Sequence, residues 1–127
     1  MTLRRGALLL AAGRTGLGLA VLAAPEKVTG GWLGHENAAQ PVVRYLARSL
    51  GARDFALGVA VLCSLDDAVL GPRIQALCAF ADGVDALATI WARKQLPRQG
   101  VLGTVAIAGA SAGAGLFFSH KLAHADA

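Results

Sequence analysis

Charged side chains are scarce: twelve Lys and Arg with eight Asp and Glu make 16% of the chain, against about 25% in soluble domains. Such a chain cannot clothe several long helices in the broad charged face that water-exposed helices need, which weighs against a soluble four-helix protein, the competing reading. Aromatics amount to 6%, too few for a platform on which a cofactor could stack, and no cofactor is expected. Cys63 and Cys78 are the only two thiols. They exclude a disulfide scaffold, neither belongs to a CxxC pair, and the redox compartment cannot be read from them. His35, His120 and His124 lie toward the periphery, and the HxxxH of the last two lacks a third ligand, so no metal is expected. No nucleophile with a base, phosphate loop or zinc signature is present. The net charge of +4 does not imply nucleic acid, because the cations are spread over helix ends instead of gathered on one stripe; anionic lipid is the simpler partner.

Apolar residues and glycine are abundant. Hydrophobic residues make up 55% of 127, Gly numbers 16, and mean hydropathy is +0.54. Lipid tolerates glycine in helices better than water does, because it lets backbones approach one another. Four apolar stretches can be drawn, at about 6–24, 43–65, 73–92 and 100–119, each near the roughly 20 residues that cross about 30 Å of hydrocarbon. The first has a signal peptide as its alternative, since Arg4 and Arg5 precede it and "VLAAP" closes it; Arg14, which divides the apolar run, argues against that. A polar, Gly-rich connection follows, with Trp32 at headgroup level and Pro41 suited to the first turn of the second helix. "DDAVLGPR" should turn the chain, with Gly71 and Pro72 as the break. Short links make the second, third and fourth helices antiparallel neighbours. The fold class expected is therefore all-α: one domain over 1–127, an integral membrane four-helix up-and-down bundle, multi-pass and in the cell membrane.

The third span, "QALCAFADGVDALATIW", is apolar yet contains two carboxylates. On a helix Gln75, Cys78, Asp82, Asp85 and Thr89 fall at spacings of three, four, three and four and share one stripe, while Leu77, Phe80, Val84, Leu87 and Trp91 occupy the other sides. Heights along the helices, taken at about 1.5 Å per residue, place Arg14 roughly 15 Å deep, Arg53 and Asp54 roughly 15 to 18 Å, Asp85 about 12 Å and Asp82 about 16 Å. Arg14, Arg53, Asp54, Asp82 and Asp85 should thus meet near the midplane as a binding cluster. A charge alone there costs at least about 3 kcal/mol. Two arginines cannot neutralise three aspartates, which leaves one carboxylate without a cation, Asp82 or Asp85 before Asp54. Such a cluster either ties the bundle together or relays a proton or grips a polar ligand.

Small residues should give this cluster room. Gly51, Asp54 and Gly58 share one face of the second helix, where a close approach to the third is expected, and "GASAG" sets Gly109 and Gly113 in a GxxxG packing spacing. Cys63 and Cys78 should face each other across the hairpin, as packing thiols or as a redox pair.

"GARDFALG", from Gly51 to Gly58, resembles the Gly-x-Arg-Asp/Glu-x-x-x-Gly feature of small four-helix membrane proteins of the domain of unknown function family 4267. DoxX-like membrane proteins are similar in size and in this segment. The resemblance extends loosely to the acidic residue of "ADGVDAL" and implies a four-helix integral membrane fold without an assigned activity. A second aspartate in the third span and the Arg in the first depart from that pattern. The expected role is a non-enzymatic membrane component whose Arg/Asp cluster supports folding or binding, with the bilayer and a membrane-protein partner or second copy as partners. A proton-linked carrier using an Asp of the third span, and a redox or lipid-modifying membrane enzyme, are the rivals. Orientation stays open: Arg4, Arg5, Arg73 and Lys121 fall on one face, Lys27, Arg44, Arg48, Arg93, Lys94 and Arg98 on the other.

Overall fold

A computed structural model describes residues 3–124. Its elements run α1 (Leu3–Ala23), α2 (Pro25–Leu33), α3 (His35–Ala38), α4 (Pro41–Ser64), α5 (Leu70–Trp91) and α6 (Arg98–Ala123), with no strand among the described residues. The four expected spans correspond to the four long helices. Of these, α1, α5 and α6 are long and apolar enough to cross a membrane; α4 matches them in length but carries Arg44, Arg48, Arg53 and Asp54.

The connection expected between the first two long helices is itself helical. Pro25 occupies the first turn of α2, where a missing N–H costs nothing, and Gly34, at φ 88°, turns the chain from α2 into α3. Pro41 starts α4 as expected. Gly71 and Pro72, in contrast, do not break the chain: both lie in the first turn of α5. The turn ends earlier because the Asp67 carboxylate accepts hydrogen bonds from the Val69 and Leu70 N–H groups at 2.9 and 2.8 Å, and its carbonyl accepts from Gly71. The Asp67 side chain thus satisfies N–H groups at the entry to α5 in the manner of a helix cap, ahead of the proline.

The long helices pack as two antiparallel pairs, α1 with α4 and α5 with α6, and contact between the pairs is far thinner. Glycine makes the first pair close. A Cβ on Gly18 would meet the Phe55 nitrogen and, at 2.7 Å, the Gly51 carbonyl; one on Gly58 would meet the Thr15 hydroxyl and, at 2.8 Å, the Thr15 nitrogen. Gly51 and Gly58 therefore face α1, so the close approach expected of them toward the third long helix is made to the first instead. Gly115 joins the second pair, with Ala79 Cβ 3.1 Å from the position its own Cβ would take, and the Ser119 hydroxyl donates to the Pro72 carbonyl at 2.8 Å. Gly109 and Gly113, the GxxxG of the sequence, face open space; the motif does not pack within the chain, because the α5 contact falls on the neighbouring stripe through Gly115.

Three levels follow along the bundle. At one end Ala7, Ala11, Val61, Leu65 and Cys78 form an apolar core joined by Ile74 and Phe118. Arg4 donates from Nε and Nη2 to Asp66 at 2.8 and 2.9 Å across its exposed rim, and this guanidinium holds the Asp66 carboxyl below the usual range. The middle level is ionic, and at the other end α2 and α3 cap the structure. The exterior is greasy: Leu77, Phe80, Leu87 and Trp91 of α5 are each more than half exposed, while Gln75 and Thr89 on its opposite stripe are the largest fully buried side chains. Water would penalise this inverted arrangement; a lipid solvent favours it.

Candidate functional site

The middle level assembles all five residues expected there. Arg14 comes from α1, Arg53 and Asp54 from α4, Asp82 and Asp85 from α5. Helical phase explains the convergence. Asp82 and Asp85 are three residues apart and share the inward stripe, Arg14 lies one turn from Gly18 at the α1–α4 crossing, and Asp54 falls between Gly51 and Gly58 on the face pressed against α1.

Four ion pairs link them in series. The Arg14 guanidinium donates from Nη2 to Asp82 Oδ2 and from Nη1 to Asp54 Oδ1, the latter at 3.2 Å. Arg53 donates from Nη2 and Nε to the same Asp54 oxygen at 2.9 and 3.2 Å. Its Nη2 and Nη1 also form a two-pronged fork on Asp85, at 2.6 and 3.1 Å, the strongest geometry available to such a pair. The series leaves α5 at Asp82, crosses α1 and α4, and returns to α5 at Asp85. Burial is deepest at the Arg14–Asp82 end, where the side chains are 9 and 10% exposed, and shallowest at Arg53, 33% exposed.

One expectation is overturned in detail. No carboxylate is left without a cation: each of the three contacts a guanidinium, and the deficit is shared because Asp54 bridges both arginines. Asp54, ranked last from its adjacency to Arg53, is the central node. The cysteines do not pair either. Both are free, Cys78 in the apolar core and Cys63 exposed on α4, because α4 turns its glycine face toward α1 instead of α5. His120 and His124 lie side by side, ring centroids 4.4 Å apart and planes tilted by 42°, but no group of three or more His, Cys, Asp or Glu able to hold a metal ion occurs among the described residues.

Gln75 and Thr89 lie on the expected stripe, but neither their lack of partners nor a groove at the capped end follows from the sequence. On the α5 stripe, Gln75 Nε2 and Thr89 Oγ1 are buried without a hydrogen-bond partner among the described residues, so the polar seam continues above and below the ions. At the capped end, Trp32 Nε1 is buried in the same condition and its ring lines a groove of about 480 Å3. The only advance signal for the groove was Trp32 itself, placed at headgroup level by residue type. Comparison with protein-family models, curated proteins and solved structures finds no match.

Proposed function

We propose that this chain is a four-pass integral membrane component without enzymatic activity, in which the Arg/Asp cluster clasps two helix pairs and fixes how they face one another. The observation that carries this reading is the path of the ion pairs: three of the four run between helices, and two of them, Arg14 to Asp82 and Arg53 to Asp85, span the thinly packed boundary between the α1–α4 and α5–α6 pairs. In lipid, apolar surfaces gain little by choosing one another. Ionic groups there gain by meeting, since apart each would stand in hydrocarbon at a cost of about 3 kcal/mol or more. The resemblance of "GARDFALG" to the four-helix membrane family 4267 supports the reading, because every fixed position of the motif is used: Gly51 and Gly58 admit α1, while Arg53 and Asp54 build the cluster.

A second reading, a proton-linked carrier, draws support from the three carboxylates facing two guanidinium groups and from the unpartnered Gln75 and Thr89 on the same stripe. Asp85→Asn separates the two. For a clasp, the variant unfolds more readily in detergent, while proteoliposomes of wild type and variant hold an imposed pH gradient equally well. Dissipation of the gradient by wild type and not by the variant overturns the clasp and establishes the carrier.

A further inference from the structure

Of the twelve Lys and Arg, Arg14 and Arg53 are engaged in the ionic level, and the others divide between the two ends of the bundle. Arg4, Arg5, Arg73 and Lys121 stand at the core end, on the terminal turns of α1, α5 and α6. Lys27 of α2, Arg93 and Lys94 of the link between α5 and α6, and Arg98 at the start of α6 stand at the capped end. The balance therefore turns on Arg44 and Arg48 of α4.

Helix geometry assigns both to the capped end. With 24 residues, α4 is roughly 36 Å long at the helical rise and exceeds the hydrocarbon thickness of about 30 Å, so its first turn reaches headgroup level. Arg44 and Arg48 lie about 5 and 10 Å from its start at Pro41. Side chains on a helix lean toward its N-terminus, which for α4 is the capped end, and the long Arg stem carries the charged head that way. Arg44 shows the direction: its Nη1 is 3.8 Å from Glu26 Oε2 on α2. Arg48, one turn further on the same stripe, is exposed. Six cations then face out of the capped end and four out of the core end. The connections at both ends are short, the condition under which a Lys/Arg bias sets orientation, and carboxylates such as Glu26, Glu36, Asp66 and Asp67 weigh little in it.

We infer that the capped end faces the cytoplasm, where Lys27, Arg44, Arg48, Arg93, Lys94 and Arg98 meet the anionic headgroups of that leaflet, and that the outer ends of α1 and α6 lie on the opposite side. This rests on the four-pass membrane reading and adds a direction to it.

Thiol accessibility tests the direction. Cys63→Ser with Cys78→Ala removes both native thiols. In that background Ala39→Cys marks the capped end and Ala68→Cys the core end, both at exposed turn positions. Spheroplasts of a bacterial expression host are treated with a membrane-impermeant sulfonated maleimide, then lysed and labelled with a permeable biotin maleimide. The blocking step should cut the biotin signal of the Ala68→Cys chain at least about tenfold and leave that of the Ala39→Cys chain intact. Arg48→Gln, Arg93→Gln, Lys94→Gln and Arg98→Gln together leave only Lys27 and Arg44 at the capped end, and should make roughly half of the Ala39→Cys chains blockable from outside. Blocking at Ala39→Cys with protection at Ala68→Cys, similar blocking at both, or an orientation indifferent to the four neutralisations overturns the inference; labelling of the chain with its cations intact decides the direction even where the neutralised variant does not accumulate. Release of the chain by a carbonate wash, with neither thiol blocked in spheroplasts, would instead overturn the membrane reading beneath it.

Discussion

Replacing Arg14 by Leu is the sharpest perturbation of the clasp. The side chain is 9% exposed and touches Asp82, 10% exposed, and Asp54, 16% exposed. Removing one member of a buried pair costs about 3–5 kcal/mol because the other charge is stranded. Asp54 keeps Arg53 at 2.9 Å, so Asp82 alone is orphaned, and the loss should lie near the lower bound, about 3 kcal/mol, or roughly 150-fold in the unfolding equilibrium. Adding Asp82→Leu removes the orphan and restores the original charge balance of the cluster, so most of the loss should return. The assay is unfolding of the purified chain by sodium dodecyl sulfate in mixed micelles, followed by circular dichroism. An Arg14→Leu midpoint within about 1 kcal/mol of wild type, or a double variant no more stable than the single one, refutes the clasp.

Three further outcomes are expected. Gly58→Ala should destabilise by about 1–3 kcal/mol in the same assay, because its Cβ meets the Thr15 backbone, whereas Gly109→Ala and Gly113→Ala, which meet nothing, should leave the midpoint unchanged. The Leu70 and Val69 N–H groups hold the Asp67 carboxyl below its usual range; its contribution is therefore complete above the ordinary carboxylate pKa near 4 and is lost as pH falls through the lower folded value. Asp67→Asn, which keeps an acceptor, should flatten that part of the acid-stability profile. A maleimide should modify Cys63 and spare buried Cys78 until the chain unfolds, and mild oxidation should leave no bond between them.

The sequence announced the cluster because helical periodicity and depth are one-dimensional quantities. The 3.6-residue repeat put Asp82 and Asp85 on the stripe of Gln75 and Thr89, and the rise per residue put Arg14, Arg53 and Asp54 at their height. Partner choice is different. A short link made α4 and α5 neighbours by connectivity, yet the glycines of α4 turn toward α1, and this rotation about the α4 axis sent Cys63 outward and made Asp54 the bridge between both arginines. Gly115, one step beyond the GxxxG, became the contact to α5 through the same unreadable phase. Asp67 was legible in principle, since an aspartate just before an apolar helix is a capping signal, but Gly71 and Pro72 looked like the stronger break. The groove beside Trp32 depends on five separate segments and has no pattern in any one of them.

The two kinds of joint in this bundle make opposite demands, and that permits a decisive comparison. Within each pair the helices are held by close backbone contact at Gly18, Gly51, Gly58 and Gly115, which needs no charge. Between the pairs the contact is thin and the specific links are Arg14 to Asp82 and Arg53 to Asp85. In water, exchanging a buried ion network for leucines is often stabilising, because the new surfaces gain by leaving solvent; in lipid that gain is missing. Substituting Leu at Arg14, Arg53, Asp54, Asp82 and Asp85 together should therefore keep α1 on α4 and α5 on α6 while the pairs lose their fixed relation. Spin labels at exposed Leu17 and Leu62, in a background with Cys63→Ser and Cys78→Ala, should report a distance within the first pair as narrow as in the parent. Labels at Leu62 and Leu87, across the boundary, should give a distribution several times broader. A narrow distribution across the boundary in the leucine variant would mean that packing alone orients the pairs, and the ionic level would then need another explanation.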